Sequence, residues 1–160
     1  EDGGFWERSR GADEIAALRY RDKPFDVNAD CARLLNDLSL LTGDRSYRAR
    51  AERILALLSP QAGRYGVVGA NFALAVDEFF EAPTRLIVVG TGTQADALRI
   101  AALRATVVQR RVLTMPGGGK IAQFAFPAGA DAAVYVVSTR GASPALQHPA
   151  QLEEALSAKA

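Results

Sequence analysis

Between Asn28 and Leu58, apolar residues recur every three or four positions through two segments separated only by Gly43 and Asp44. That spacing is the stripe of an amphipathic helix, and so short a link between two helices forces them to run antiparallel. In the first segment Cys31, Leu34, Leu35, Leu38 and Leu41 are expected to form the apolar face, with Asn28 as N-cap. Gly43 suits a left-handed stop because it has no Cβ to clash, and Asp44 is placed to cap the next helix. Tyr47, Ala51, Ile54, Leu55 and Leu58 carry that helix until Ser59-Pro60 ends it. A third helix is predicted from about Gly66 to Phe80, with Phe72, Ala75, Val76 and Phe79 on one side. Asp77, Glu78 and Glu81 then fall on a face expected to be solvated. A helix pair on its own buries such faces poorly, so a larger helical assembly is the natural context.

The period changes after Pro83. Leu86-Ile87-Val88-Val89 is a short apolar run bounded by Pro83 and Gly90, the signature of a strand buried on both faces. Thr93 is expected to cap a helix reaching about Arg104, with Asp96 in the box-like position favourable to the helix dipole. Arg111 to Met115 supplies the next strand, so a right-handed βαβ crossover is the simplest connection. Ile121, Phe124 and Phe126 suggest a further extended segment, Ala132 to Val137 a third central strand, and Pro149 to Lys159 a last helix. Together these elements imply a three- or four-stranded sheet with helices against it.

With 49% hydrophobic and 23% charged residues over 160 positions, the chain can bury a core as one domain or two small ones. A formal net charge of +1 argues against an electrostatic nucleic-acid binder, and no apolar run approaches the roughly 18 residues of a membrane span. A single cysteine, Cys31, excludes an internal disulfide and a Cys-rich zinc site, and reads as a small core residue. No metal or cofactor is expected. The single histidine, His148, precedes Pro149 and so marks a helix start rather than a catalytic triad. No signal peptide pattern is visible, and a cytoplasmic location is expected. The chain opens on Glu1 rather than Met, as a processed form or a piece of something longer would.

Gly90-Thr91-Gly92-Thr93-Gln94-Ala95 is a G-x-G-x-x-A turn between a strand and a helix. Gly90 and Gly92 allow close backbone approach, and the amides near Thr93 can face a phosphate. No Asp or Glu ends the next strand to hold a ribose, and tight strand-to-helix turns require glycine in any case. Gly117-Gly118-Gly119-Lys120 fails as a phosphate loop, because Thr114 and Ile121 stand where the motif needs Gly and Ser or Thr. Acidic candidates for proton transfer are Asp2, Glu7, Asp13, Glu14, Asp22, Asp26 and Asp30, in no distinctive pairing. Trp6 and Phe25 offer ring faces, and Asp26 and Asn28 offer groups for hydroxyls. The plainer reading is that Asp26 and Asn28 cap a helix while the aromatics fill a core.

The ordered set Gly3-Gly4-Phe5-Trp6, Pro24-Phe25-Asp26-Val27-Asn28-Ala29, Leu41-Thr42-Gly43-Asp44 with Tyr47, Ile87-Val88-Val89-Gly90 and Val134-Tyr135-Val136-Val137 resembles one family. It is similar to the C-terminal region of the YyaL-type proteins and the spermatogenesis-associated thioredoxin-domain proteins. These pair a thioredoxin-like domain with a six-hairpin (α/α) toroid. Two departures stand out: Phe25-Asp26-Val27 replaces the family's Ser-Gly turn, and its late cysteines are missing between Val137 and Pro144. The resemblance implies an α+β chain: residues 1–82 as helical hairpins of an incomplete toroid, residues 83–160 as a small α/β segment. It implies partners in the rest of the same longer protein, or self-association through exposed helix faces, with no nucleic acid and no membrane. By analogy of fold it implies epimerase, isomerase or hydrolase chemistry on carbohydrate, with Trp6 and Phe25 as stacking residues and Asp26 and Asn28 as hydroxyl contacts. The alternatives from the residues themselves are a nucleotide- or phosphate-binding module at Gly90, Gly92 and Thr93, and a non-catalytic interaction domain.

Overall fold

The computed structural model describes residues 3–9, 11, 20–127, 131–138 and 141–157. The fold is α+β, and the chain divides into two compact units, Glu1–Glu81 and Ala82–Ala160.

The first unit is helical: α1 (Phe25–Thr42), α2 (Arg45–Leu58), the single turn α3 (Ala62–Tyr65) and α4 (Ala70–Phe80). Gly43 ends α1 at φ 79°, its N–H donating to the Ser39 carbonyl, and Asp44 caps α2 by accepting from the Ser46 N–H at 2.8 Å. Phe25, Ala29, Ala32 and Leu35 of α1 meet Ala51, Ile54, Leu55 and Leu58 of α2 and Ala75 and Phe79 of α4 in one core. Each fully buried Leu or Ile there contributes about 1.5–3 kcal/mol.

Four expectations are corrected here. Helix α1 begins at Phe25 with Pro24 as its cap residue, because proline's fixed φ suits a helix entrance, so Asn28 sits a full turn inside rather than at the N-cap. Leu34 is 59% exposed; the inward stripe is set by Phe25, Ala29, Ala32 and Leu35. The third helix starts at Ala70, since Gly66, at φ 50°, and Gly69 bound a tighter 3-10 turn before it. Glu78 is buried rather than solvated.

The second unit contains β1 (Thr84–Val89), α5 (Thr93–Arg104), β2 (Arg110–Met115), β3 (Lys120–Ile121), β4 (Phe124–Ala125), β5 (Ala133–Ser138), β6 (Gly141–Ala142) and α6 (Pro149–Ser157). The main sheet has the order β2-β1-β5-β6. β1 and β2 are parallel across the α5 crossover, whereas β5 runs antiparallel to β1 with Ile87 opposite Tyr135. Leu86, Val88, Val134 and Val136 face Leu98 of α5 and Leu152 of α6 in the core. Alternation sends Arg85, Ile87 and Tyr135 to the other face, where the Phe126 ring lies 4.8 Å from that of Tyr135. β3 and β4 form a separate two-stranded hairpin. Thr93 is the first helical residue of α5 and not its cap; that place belongs to Gly92, whose φ of 86° and ψ of −174° favour glycine.

Among the described residues no helix is long and apolar enough to cross a membrane.

Candidate functional site

The chain at Gly3-Gly4 lies hard against α2. Both glycines have φ of 73°; a Cβ on Gly3 would stand 2.8 Å from the Arg53 carbonyl oxygen, and one on Gly4 would stand 2.6 Å from Leu57 Cδ2. At Gly3 the opposing atom is backbone and leaves no room for a side chain, and at Gly4 the positive φ strains any residue but glycine. Asn28 then fixes Phe5. Its Oδ1 accepts from the Phe5 N–H at 2.6 Å, while its Nδ2 donates to the Phe5 carbonyl at 3.0 Å and to the Pro24 carbonyl at 2.8 Å. The buried amide thus imitates a neighbouring β-strand and ties the loop to the first turn of α1. Glu7 continues the pairing, its N–H donating to the Asp22 carbonyl at 3.0 Å.

This clamp presents Phe5 and Trp6, each about half exposed, at a cleft of about 340 Å³. Gly3, Gly4, Trp6, Lys23, Arg50 and Arg53 line it. Lys23 Nζ donates to the Gly3 carbonyl and sits 4.7 Å from the centre of the Trp6 ring; the Arg21 guanidinium lies 4.6 Å from the same ring. The charged side chains among the described lining residues are those of Lys23, Arg50 and Arg53.

The structure separates the four sugar-contact candidates. Trp6 lines the cleft, and Asn28 holds the loop that forms it while staying fully buried. Phe25 is a core residue, stacked 4.0 Å from Tyr65 and tilted 5.5 Å from Phe72, so its ring faces are taken. Asp26 is exposed in the first turn of α1, favourable to the helix dipole. The carboxylates are dispersed. Glu7 and Asp22 bond locally within the loop, Asp30 accepts from Asn71 Nδ2 at 2.7 Å, and Asp2, Asp13 and Glu14 lie outside the described residues. Cys31 is no better placed for chemistry. Burial and then the Asp30 charge raise its thiol pKa, favouring the unreactive protonated form.

Gly90, Thr91, Pro116, Gly117, Asp131 and Ala132 gather at one end of the main sheet around a second cleft of about 400 Å³. Gly90 is at φ 110°, and a Cβ there would stand 3.0 Å from Ala132 Cα, so packing alone already requires this glycine. Gly92 opens into space. Asp131 places a carboxylate in the cleft, which repels a phosphate brought to the start of α5.

No protein-family profile, curated protein or solved structure matches the chain. Its chemistry must therefore be argued from its own residues.

Sequence reasoning missed the polar centre of the helical unit. Glu78 accepts from Arg33 through both oxygens, Nε to Oε2 at 2.8 Å and Nη2 to Oε1 at 2.9 Å. Arg33 also donates to Asn71, which in turn donates to Asp30. Asn36 donates to the Glu78 carbonyl and accepts from Arg48, whose guanidinium reaches the Phe79 carbonyl and lies 3.9 Å from the Phe79 ring centre. The hydrogen bond with Glu78 raises the Arg33 pKa above its ordinary value, so the guanidinium stays charged. The signal that finds this network is Asn36 and Glu78 occurring at the helical spacing of otherwise apolar neighbours. In the second unit Arg85 is buried beside Phe124, and burial lowers its pKa.

Proposed function

We propose that this chain is the C-terminal part of a thioredoxin-domain toroid protein acting on carbohydrate as an epimerase, isomerase or hydrolase, with the Gly3–Trp6 cleft at the mouth of the toroid. One observation carries the reading: α1 is apolar on two sides. Phe25, Ala29, Ala32 and Leu35 pack inward, while Val27 and Leu34 are 50% and 59% exposed, and Leu74 of α4 is also open. Helices of an (α/α) ring need partners on both flanks, whereas a surface helix has one apolar stripe. The Asn28 clamp presents an aromatic pair at a loop beside a helix start, which suits a sugar ring.

The test is the complete reading frame. It is expected to encode further helical hairpins and a thioredoxin-like segment upstream. Leu34→Glu is expected to lower the melting temperature of the complete protein, yet to change the 160-residue chain by less than about 0.5 kcal/mol. Sugar conversion by the 160 residues alone, or an equally small effect of Leu34→Glu in both proteins, would overturn the reading.

A further inference from the structure

The two edges of the main sheet are finished differently. β5 is covered on its outer side by the chain that follows it: β6 pairs with Val137 and Ser138, the Ser143 N–H donates to the Val136 carbonyl, and Leu146 exchanges both backbone bonds with Val134. β2, at the other edge, has no strand on its outer side among the described residues. The Thr84 N–H donates to the Gln109 carbonyl and the Gly90 N–H to the Met115 carbonyl, so the odd-numbered residues of this stretch turn their backbone groups toward β1. Arg110, Val112 and Thr114 therefore turn theirs outward. The Arg110 carbonyl accepts from the Arg111 guanidinium at 3.4 Å, whereas no hydrogen bond meets the outward backbone of Val112 or Thr114 among the described residues. Such a row is a template for another strand, which proteins commonly blunt with a bulge, a proline or a charge held along the edge. Here β2 matches β1 residue for residue from Arg110 to Met115, without a bulge and without proline before Pro116. The Arg110 side chain folds back to the Val107 and Leu103 carbonyls at the end of α5.

The pattern of this edge complements itself. About a twofold axis at Leu113, Val112 of each copy stands opposite Thr114 of the other, and each such pair exchanges both backbone bonds. Arg110 falls opposite Pro116, which has no N–H to offer, and the Arg110 carbonyl is already bonded by Arg111. Leu113 meets Leu113 and Arg111 meets Met115, so the arginines of the two copies lie at opposite ends and like charges stay apart. Parallel stacking of copies would set arginine beside arginine and could not close. We propose that β2 pairs antiparallel with β2 of a second copy of this chain, centred on Leu113, joining the two main sheets into one. The inference concerns the second unit alone and is independent of the carbohydrate reading.

Sedimentation equilibrium of the 160-residue chain from roughly 1 μM to 1 mM tests it, the span in which so small an interface is expected to assemble. A reversible monomer–dimer equilibrium is expected. Thr114→Pro removes an N–H that faces away from β1, so it is expected to weaken the dimer at least about tenfold while the melting temperature of the dilute chain stays unchanged. Thr114→Val keeps that N–H and should dimerise as the parent does. Leu113→Lys sets two like charges opposite each other on the axis and is expected to weaken association by a similar factor, which decides the matter should the proline variant not fold. In a Cys31→Ser background, Leu113→Cys is expected to cross-link two copies on oxidation, because directly opposed residues of this kind stand about 4.5 Å apart at Cα. Val112→Cys should not. A monomer throughout the range would overturn the proposal. So would a dimer indifferent to both Thr114→Pro and Leu113→Lys, or one abolished by Leu34→Glu instead, which would place the contact on a helix face. Cross-linking through Val112→Cys in preference to Leu113→Cys would overturn the pairing as proposed.

Discussion

The two units bury different kinds of residue. In the second, Leu86, Ile87, Val88, Val134, Val136 and Val137 are almost wholly enclosed, and Arg85 is the only buried charged or amide side chain among its described residues. In the first, Asn28, Asn36 and Glu78 are as buried as the leucines around them. Sheets hide backbone polar groups in their ladders, so an almost wholly apolar filling suffices. The helical unit instead joins α1, α2 and α4 through side-chain hydrogen bonds whose geometry selects one arrangement. Apolar burial supplies bulk stability in both units, and in the helical one a polar network adds positional choice.

The aliphatic side of that contrast is tested at Leu98, which is fully buried between α5 and the sheet. Leu98→Ala is expected to cost about 3–4 kcal/mol, the sum of lost transfer energy and the cavity left behind. Denaturant unfolding measures it. A loss below about 1 kcal/mol would mean that this interior relaxes around the hole and is not tightly packed.

The polar side predicts a smaller loss with a distinctive recovery. Glu78→Leu removes both bonds from Arg33, and because that side chain is 29% exposed, water offsets part of the cost, leaving about 2–3 kcal/mol. Adding Arg33→Met removes the stranded charge and is expected to restore most of the stability, as replacing a whole buried pair often does. If the double variant is as unstable as the sum of the single ones, Glu78 acts through packing and not through the ion pair.

These contrasts explain what could be read from the sequence. The runs ending at Val89 and Met115 place β1 and β2 within two residues, because a buried strand is marked by its own apolar composition. Gly43 and Asp44 likewise announce the α1–α2 link, since each acts on its immediate neighbours. Asn28 could not be understood that way. An Asn near a helix start has the composition of a cap, and only the return of Phe5, twenty-three residues earlier in the chain, makes it a buried clamp. Glu78 misleads for the same reason. Its partner Arg33 lies forty-five residues away, so local pattern assigns it to solvent. The cleft at Trp6 also depends on distant segments, bringing the Gly3–Trp6 loop to Arg50 and Arg53.

The weakest expected effect sharpens the comparison at its polar edge, where a side chain acts locally and in full solvent. Asp44 accepts from the Ser46 N–H, and that bond holds its carboxyl below the ordinary carboxylate range. A folded-state pKa lower than the unfolded one gives stability that is present while the unfolded group is ionised and is lost as pH falls through the folded value. Asp44→Ala should therefore be less stable than the parent at neutral pH, by a constant margin down to the ordinary carboxylate range. Below it the margin should shrink, with α2 fraying first because its free N–H groups lose their acceptor. Parallel thermal melts of the two proteins across that range measure the margin. If it stays unchanged to the lowest pH at which both fold, the cap works as a neutral hydrogen-bond acceptor, and the charge on Asp44 contributes nothing to the hairpin.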